Sequence, residues 1–157
     1  MQRSNLITIS ALIPFFTFIF QPIWIIGLGI SMASSKAFDP YFKDSIYTPN
    51  FRRKTSIGLL ILSILEGITG FGAGPTTSNF ITEITLGLLN RGISLELHLA
   101  LITPLALFFV IHTVSGLGSI LLSKGVKNLI LYKYVIPIIW LAMYLIAVYL
   151  DLSYFIT

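Results

Sequence analysis

Four long apolar blocks constrain this chain most strongly, because each approaches the length of a helix that crosses a membrane. They cover residues 6–33, 56–74, 97–122 and 134–156, and they lack the alternation typical of strands. Crossing the hydrocarbon layer of about 30 Å takes about 20 apolar residues. With 55% hydrophobic and 10% charged residues, the composition lies outside the soluble globular range. The sequence therefore predicts an all-α integral membrane four-helix bundle, with residues 1–157 as a single transmembrane domain.

The first block resembles a signal peptide only superficially. Its apolar length exceeds the apolar core of a typical signal, and no clear small-residue cleavage site follows at the right distance. We therefore expect a retained helix. Pro14 and Pro22 lie within it, and each removes a backbone hydrogen bond, so the prediction is a kinked helix.

The basic residues predict the orientation. The links at residues 34–54 and 123–133 carry eight of the ten lysines and arginines, whereas the other side carries only Arg3 and Arg91. The positive-inside rule then places both links in the cytoplasm. With four crossings, both termini are expected outside, in a multi-pass protein of the cell membrane.

The link at residues 75–95 shows a weaker helical pattern. Phe80, Ile84 and Leu88 recur at helical spacing, which predicts a short amphipathic interfacial helix between the second and third transmembrane helices. Gly92 is expected to end that segment. Ser94 is expected to cap the helix that follows.

Both histidines of the chain, His98 and His112, fall on the third predicted helix. At about 100° and 1.5 Å per residue, they lie within roughly 40° of one face and roughly 21 Å apart along the axis. One metal ion or haem iron cannot bind both. The pattern therefore suggests two stacked sites, and the alternative is two polar side chains packed inside the bundle.

Glu66 and Met143 are the other candidate site residues within the apolar blocks. Counted from the inner end of each predicted helix, His112, Glu66 and Met143 all lie roughly 15 Å deep, in one layer. His98 is expected in a second layer near the outer surface, beside Glu96. A carboxyl group in hydrocarbon is costly, so Glu66 should face the bundle, as part of a proton relay or of a structural hydrogen bond with His112.

The segment from His98 to Leu117 resembles the haem-binding helix of membrane b-type cytochromes, where two histidines separated by thirteen residues hold two stacked haems. The segment Ile68-Thr69-Gly70-Phe71-Gly72-Ala73 is similar to a glycine-containing helix of the same families. This resemblance implies haem b, with His98 and His112 as iron ligands. It also implies that Gly70 and Gly116 leave room for the porphyrin.

The chain departs from that family pattern in one respect. Those cytochromes supply four histidines from two helices, and the fourth block here has none. The missing ligands would come from a two-fold homodimer, from another membrane subunit, or from Met143 as a histidine–methionine site. We expect His112 to be the stronger ligand, since its predicted position is deeper and it has Gly116 one turn away and Gly70 on the neighbouring helix.

Three functions are compatible with these patterns. The first is a haem b-binding electron-transfer subunit of a respiratory or quinol-linked complex, without independent catalytic activity, for which a quinone is a candidate partner. The second is an accessory transmembrane subunit without a cofactor, and the third is a small transporter or proton carrier that uses Glu66 and His112. The absence of cysteine excludes thiolate metal sites. The net charge of +4 reflects the inner links, and nucleic-acid binding is not expected.

Overall fold

Three long apolar helices dominate the computed structural model, which describes residues 3–156, with side chains as far as residue 152. Pro49–Ala73, Arg91–Ser123 and Leu131–Leu152 are each long and apolar enough to cross a membrane. The described residues contain no strand. The all-α prediction is therefore confirmed, and the three helices indicate a multi-pass membrane protein.

The helices can be named in chain order. They are α1 (Arg3–Leu12), α2 (Trp24–Ala33), α3 (Pro49–Ala73), α4 (Ser78–Ile84), α5 (Arg91–Ser123) and α6 (Ile136–Ile156). Short 3₁₀ helices cover Ile13–Phe18, Gln21–Ile23 and Ser35–Phe38, and a π turn at Leu131–Val135 leads into α6. The second, third and fourth predicted blocks correspond to α3, α5 and α6.

The first predicted block is not one kinked helix. Pro14 and Pro22 each lie in the first turn of a 3₁₀ helix. The chain reverses direction between them, so α1 and α2 pack together as a hairpin. Arg3 Nη1 donates to the carbonyl oxygen of Ala33 at 3.1 Å, which brings the two open ends of the hairpin together. Proline lacks the amide hydrogen that a continuous helix needs, and here the two prolines start new helical turns.

The hairpin packs against α6 through polar contacts in its interior. Trp140 Nε1 donates to Ser31 Oγ at 2.6 Å, and the Tyr144 hydroxyl lies 3.3 Å from the Ser10 carbonyl oxygen and 3.2 Å from that of Trp24. Gly27 permits this approach, because a Cβ there would lie 2.1 Å from the Tyr144 hydroxyl oxygen. The contacts fix the hairpin along α6.

The two ends of the described chain lie at opposite ends of the bundle. Lys54 Nζ donates to Asn5 Oδ1 at 3.1 Å, so α1 begins beside the basic start of α3. The other end of α6 reaches the closed tip of the hairpin, where Thr17 Oγ1 donates to Asp151 Oδ2 at 2.6 Å. The expectation of four crossings with both termini on one side is therefore not confirmed, because the hairpin returns to the end of the bundle at which it starts.

α3 and α5 are antiparallel and in close contact. A Cβ at Gly58 would lie 2.5 Å from the Phe108 ring, and one at Gly72 would lie 2.2 Å from Ser94 Oγ. Ser94 is fully buried within α5, and the side chain that caps this helix is Asn90, whose Oδ1 accepts from Ile93 N at 3.0 Å. The expectations that Ser94 caps α5 and that Gly92 ends the preceding segment are wrong, because α5 begins at Arg91.

α5 extends well past the first turns of α3. Its last turns are covered by the link before α3, where the Ser119 hydroxyl donates to the Tyr47 carbonyl oxygen at 2.7 Å and the Tyr47 ring lies over Gly118. Asp39 of the same link pairs with Lys133 at 2.8 Å. The link before α3 is therefore packed against α5 and the start of the last helix.

The segment between α3 and α5 contains the short helix α4. Ile81 is buried, whereas Phe80 and Ile84 are exposed, as expected for an amphipathic segment. A turn with positive φ at Leu86 and Gly87 follows, and the chain then enters α5. The predicted short helix is present at Ser78–Ile84.

Candidate functional site

His98 on α5 lies beside a carboxylate on α3. Its Nδ1 atom is 3.2 Å from Glu66 Oε1, and the side chains are 31% and 15% exposed, respectively. Gly70, one turn along α3 from Glu66, lies against the imidazole ring, and a Cβ there would be 3.1 Å from His98 Cε1. The absence of a side chain at Gly70 is what lets the imidazole lie this close to α3.

His112, also on α5, lies beside a hydroxyl group of α3. Its Nδ1 atom is 2.8 Å from Thr55 Oγ1. The buried Thr55 hydroxyl is also 3.2 Å from the Phe51 carbonyl oxygen and 3.0 Å from that of Arg52. The hydroxyl has one proton, so the direction of its bond with His112 depends on the imidazole tautomer. With the imidazole proton on Nδ1, His112 donates to Thr55, and Thr55 donates to the backbone.

The two histidines thus use the same ring nitrogen toward α3. Nδ1 of His112 is hydrogen-bonded to Thr55 Oγ1, whereas Nδ1 of His98 lies 3.2 Å from Glu66 Oε1 without a hydrogen bond, and no described residue forms a hydrogen bond with Nε2 of either ring. Histidines that bind metals commonly have this arrangement, in which an oxygen holds one ring nitrogen and the other nitrogen binds the metal. Both side chains are partly buried, so their orientation is fixed by the protein while Nε2 stays available.

The predicted layers are wrong. Glu66 lies with His98, and His112 lies with Thr55 near the start of α3. The prediction counted every helix from its own inner end, but α5 continues for eleven residues beyond His112 to its last residue, Ser123, alongside the preceding link. His98 is also paired with Glu66 and not with Glu96, which is exposed on the surface of α5.

Three other predicted site residues have different surroundings. Met143 of α6 and Val110 of α5 line the same groove between these two helices. Val110 is two residues from His112, or about 200° around the helix, so Met143 and His112 lie on opposite sides of α5. Gly70 faces His98 rather than His112. Gly116 has no other residue within 4 Å of the position where its side chain would begin.

Two open grooves meet at Glu66 on the outer face of α3 and α5. One, of about 400 Å³, is lined by Glu66, Gly67, Gly70, Phe71 and His98. The other, of about 420 Å³, continues past Glu66 toward Phe109. Phe71 and Phe109 are each 63% exposed, and the second oxygen of Glu66 is buried without a hydrogen-bond partner. An ionisable pair is thus located at an open apolar surface.

Metal sites built from several acidic or histidine side chains are absent from the described part of the chain, where no three such residues cluster. This finding concerns cation sites and says little about haem, which needs one or two axial ligands. The sequence reasoning missed Thr55 as the partner of His112. A threonine near a helix start has no distinguishing sequence signal, and its role depends on the offset between α3 and α5.

Comparisons with protein-family models, curated proteins and solved structures give no match for this chain.

Proposed function

We propose that the protein is a haem b-binding membrane electron-transfer subunit, in which His98 and His112 each supply one axial ligand through Nε2. The observation that carries the proposal is that both histidines direct Nδ1 to an oxygen atom of α3 and leave Nε2 without a described partner. A purely structural pair of histidines has no need to use the same nitrogen in both places. In this proposal the chain supplies one axial ligand to each of two iron sites.

The residues around the histidines fit one side of a haem. Gly70 allows the His98 ring close to α3, Gly116 leaves space near His112, and an open apolar groove borders His98. Haem b, when bound, supplies one-electron redox chemistry. In the chain itself, Thr55 holds Nδ1 of His112, Glu66 lies 3.2 Å from Nδ1 of His98, and Phe71 lines the groove beside His98.

We propose that the second axial ligand comes from another chain. The sequence has two histidines only, and Met143 lies on the far side of α5 from His112. An ionisable pair such as Glu66 and His98 is costly at a surface that faces lipid. A second copy or another membrane subunit that covers this face would both shield the pair and supply the missing ligands.

For the orientation, we propose three crossings and a re-entrant hairpin. The basic links would lie in the cytoplasm of a cell-membrane protein by the positive-inside rule, together with the start of α1. The described end of α6 would then lie on the outside. The hairpin tip is compatible with membrane depth, because the backbone amides of Ile19, Phe20 and Ile23 donate to backbone carbonyl oxygens within it.

Cysteine labelling tests this orientation, since the chain has no native cysteine. Arg3→Cys and Lys43→Cys should react with an impermeant reagent from the cytoplasmic side, and Phe80→Cys from the outside. If Arg3→Cys reacts from the outside and Lys43→Cys from the cytoplasm, the hairpin is wrong and a fourth crossing exists.

A reduced-minus-oxidised absorption spectrum of the purified protein tests the function. We expect the α-band of haem b, retained through purification in a mild detergent together with any partner chain. A preparation that is folded and colourless after haem has been supplied during expression would contradict the proposal. The accessory-subunit interpretation would then take its place.

A proton carrier is the second candidate, and one observation favours it. Glu66 Oε2 is buried without a hydrogen-bond partner, beside an imidazole and an open groove. In this interpretation the relay is Glu66 with His98, and not Glu66 with His112 as the sequence suggested. Proton flux into vesicles that contain the haem-free protein would separate this function from electron transfer.

A further inference from the structure

A polar pocket lies at the basic end of the molecule, between the end of α2 and the start of the last helix. It is open and has a volume of about 440 Å³. Its walls come from the 3₁₀ helix after α2, the link that follows it and the π turn before α6. The residues that line it are Ser35, Lys36, Asp39, Phe42, Lys133 and Tyr134. All but the phenylalanine carry a polar group, in contrast to the apolar grooves between the helices.

The charges in this pocket do not cancel. Both carboxyl oxygens of Asp39 have a donor, since Oδ2 lies 2.8 Å from Lys133 Nζ and Oδ1 accepts from Tyr41 N at 3.1 Å. The Lys36 ammonium group forms no ion pair or hydrogen bond with any described residue. An ammonium group has three donors, so Lys133 keeps two that Asp39 does not use. The pocket therefore has one unmatched positive charge and several free donors, which suit an anion.

The surface next to the pocket, along α2 and α6, is apolar. Tyr134 at the edge of the pocket is 63% exposed, and Ile138, one turn further along α6, is 64% exposed. Met32, near the end of α2, is 59% exposed. The hydrogen bond from Trp140 Nε1 to Ser31 Oγ, at 2.6 Å, holds α2 and α6 together at this level. Because tyrosine and lysine are typical of the membrane interface, the pocket lies where lipid headgroups give way to acyl chains.

We propose that this pocket binds the headgroup of an anionic phospholipid. Lys36 and Lys133 donate to the phosphate oxygens, and the acyl chains lie on the apolar surface of α2 and α6. Basic pockets between helices at the inner membrane surface bind such headgroups in other membrane proteins. A free phosphate offers the same oxygens but leaves the apolar surface uncovered, and a zwitterionic lipid brings a second cation close to Lys36. The site goes beyond the proposed function, and it needs no haem, because the two histidines contact α3.

Native mass spectrometry of the delipidated protein in a mild detergent tests the proposal. The probes are phosphatidylglycerol, phosphatidylcholine with the same acyl chains, and glycerol phosphate. We expect one phosphatidylglycerol per chain to bind at least about fivefold more tightly than phosphatidylcholine, since the pocket has one unmatched charge. An excess of glycerol phosphate should not displace the lipid. Equal binding of the two lipids, or displacement by glycerol phosphate, would overturn the proposal, and displacement would indicate a site for a soluble phosphate.

Two exposed lysines of the basic end provide matched variants. Lys36 lines the pocket, and Lys127 lies outside it. Lys36→Gln should weaken phosphatidylglycerol binding about fivefold, whereas Lys127→Gln, with the same change in net charge, should leave it nearly unchanged. Asp39→Asn should strengthen binding, because it frees Lys133 for the phosphate. Equal effects of the two lysine variants, or weaker binding by Asp39→Asn, would overturn the proposal, with the unfolding temperature of each variant as the control for folding.

Discussion

Thr55 Oγ1 lies 2.8 Å from His112 Nδ1, and this contact joins the middle of α5 to the first turns of α3. It sets the offset between the two helices, because it places His112 level with the start of α3 rather than midway along it. The same offset brings His98 to Glu66 and Gly70. The Thr55–His112 contact and the Glu66–His98 pair thus form the α3 side of the two candidate iron sites.

Thr55→Val should loosen the His112 site. It removes the hydroxyl group that bonds to His112 Nδ1, and loss of such a partner typically weakens metal binding about tenfold or more. We expect partial loss of haem during purification and a loss of about 1–2 kcal/mol in unfolding free energy. Thr69→Val is the control, because the Thr69 hydroxyl is buried on the same helix but bonds only to its own backbone. Equal haem loss in the two variants would contradict the assignment.

Glu66→Gln should change the redox behaviour of the haem at His98. A carboxylate beside the axial imidazole stabilises the oxidised, more positive form of the site, so its removal should raise the midpoint potential of one haem. Glu96→Gln is the control, because Glu96 is exposed on α5 two residues from His98. A redox titration that shows no shift for Glu66→Gln, or the same shift for both variants, would show that Glu66 does not act on this site.

Gly27→Ala should displace the hairpin from α6. The new methyl group would lie 2.1 Å from the Tyr144 hydroxyl oxygen and 3.0 Å from the Ser10 carbonyl oxygen, a degree of overpacking that typically costs about 1–3 kcal/mol. Gly29 has open space where its side chain would be, so Gly29→Ala should be neutral or stabilising by up to about 1 kcal/mol. Thermal unfolding in detergent compares the two. If both variants are equally stable, the packing of the hairpin on α6 is wrong.

The pair formed by Asp39 and Lys133 predicts a pH effect on stability. The hydrogen bond from Lys133 holds the pKa of the Asp39 carboxyl below its ordinary value of 3.8. A lowered folded pKa means that the pair stabilises fully above the ordinary value and that this contribution is lost as the pH falls through the folded pKa. Both side chains are partly exposed, so the contribution is at most about 1 kcal/mol.

A double-mutant cycle with Asp39→Asn and Lys133→Gln measures that contribution. The coupling between the two substitutions should be present at pH 6 and should decrease as the pH is lowered below 3.8. A coupling that is absent at pH 6, or that increases in acid, would contradict the ion pair.

The sequence predicted α3, α5 and α6 because apolar length alone identifies a helix that could cross a membrane. It failed for residues 6–33, since a broken hairpin and a kinked helix have the same apolar composition. The contacts that decide between them, such as Thr17 with Asp151, join residues far apart in the chain.

The candidate site was predicted in part. The spacing of His98 and His112 placed both on one face of one helix, and that face does meet α3. Their partners were assigned wrongly, because α5 extends past the start of α3 and no sequence pattern gives that offset. The sequence placed Met143 at the depth of His112, but depth in a membrane does not determine which side of a helix a residue contacts.

Haem content in single histidine variants tests the central claim most directly. His98→Ala and His112→Ala are purified in parallel with the wild-type chain, and haem per chain is measured by the pyridine haemochrome spectrum, with unfolding temperature as the control for folding. If each histidine anchors one site, each variant should lose about half of the wild-type haem, and the double variant should lose all of it. A wild-type protein without haem, or two folded single variants that both keep the full amount, would contradict the account.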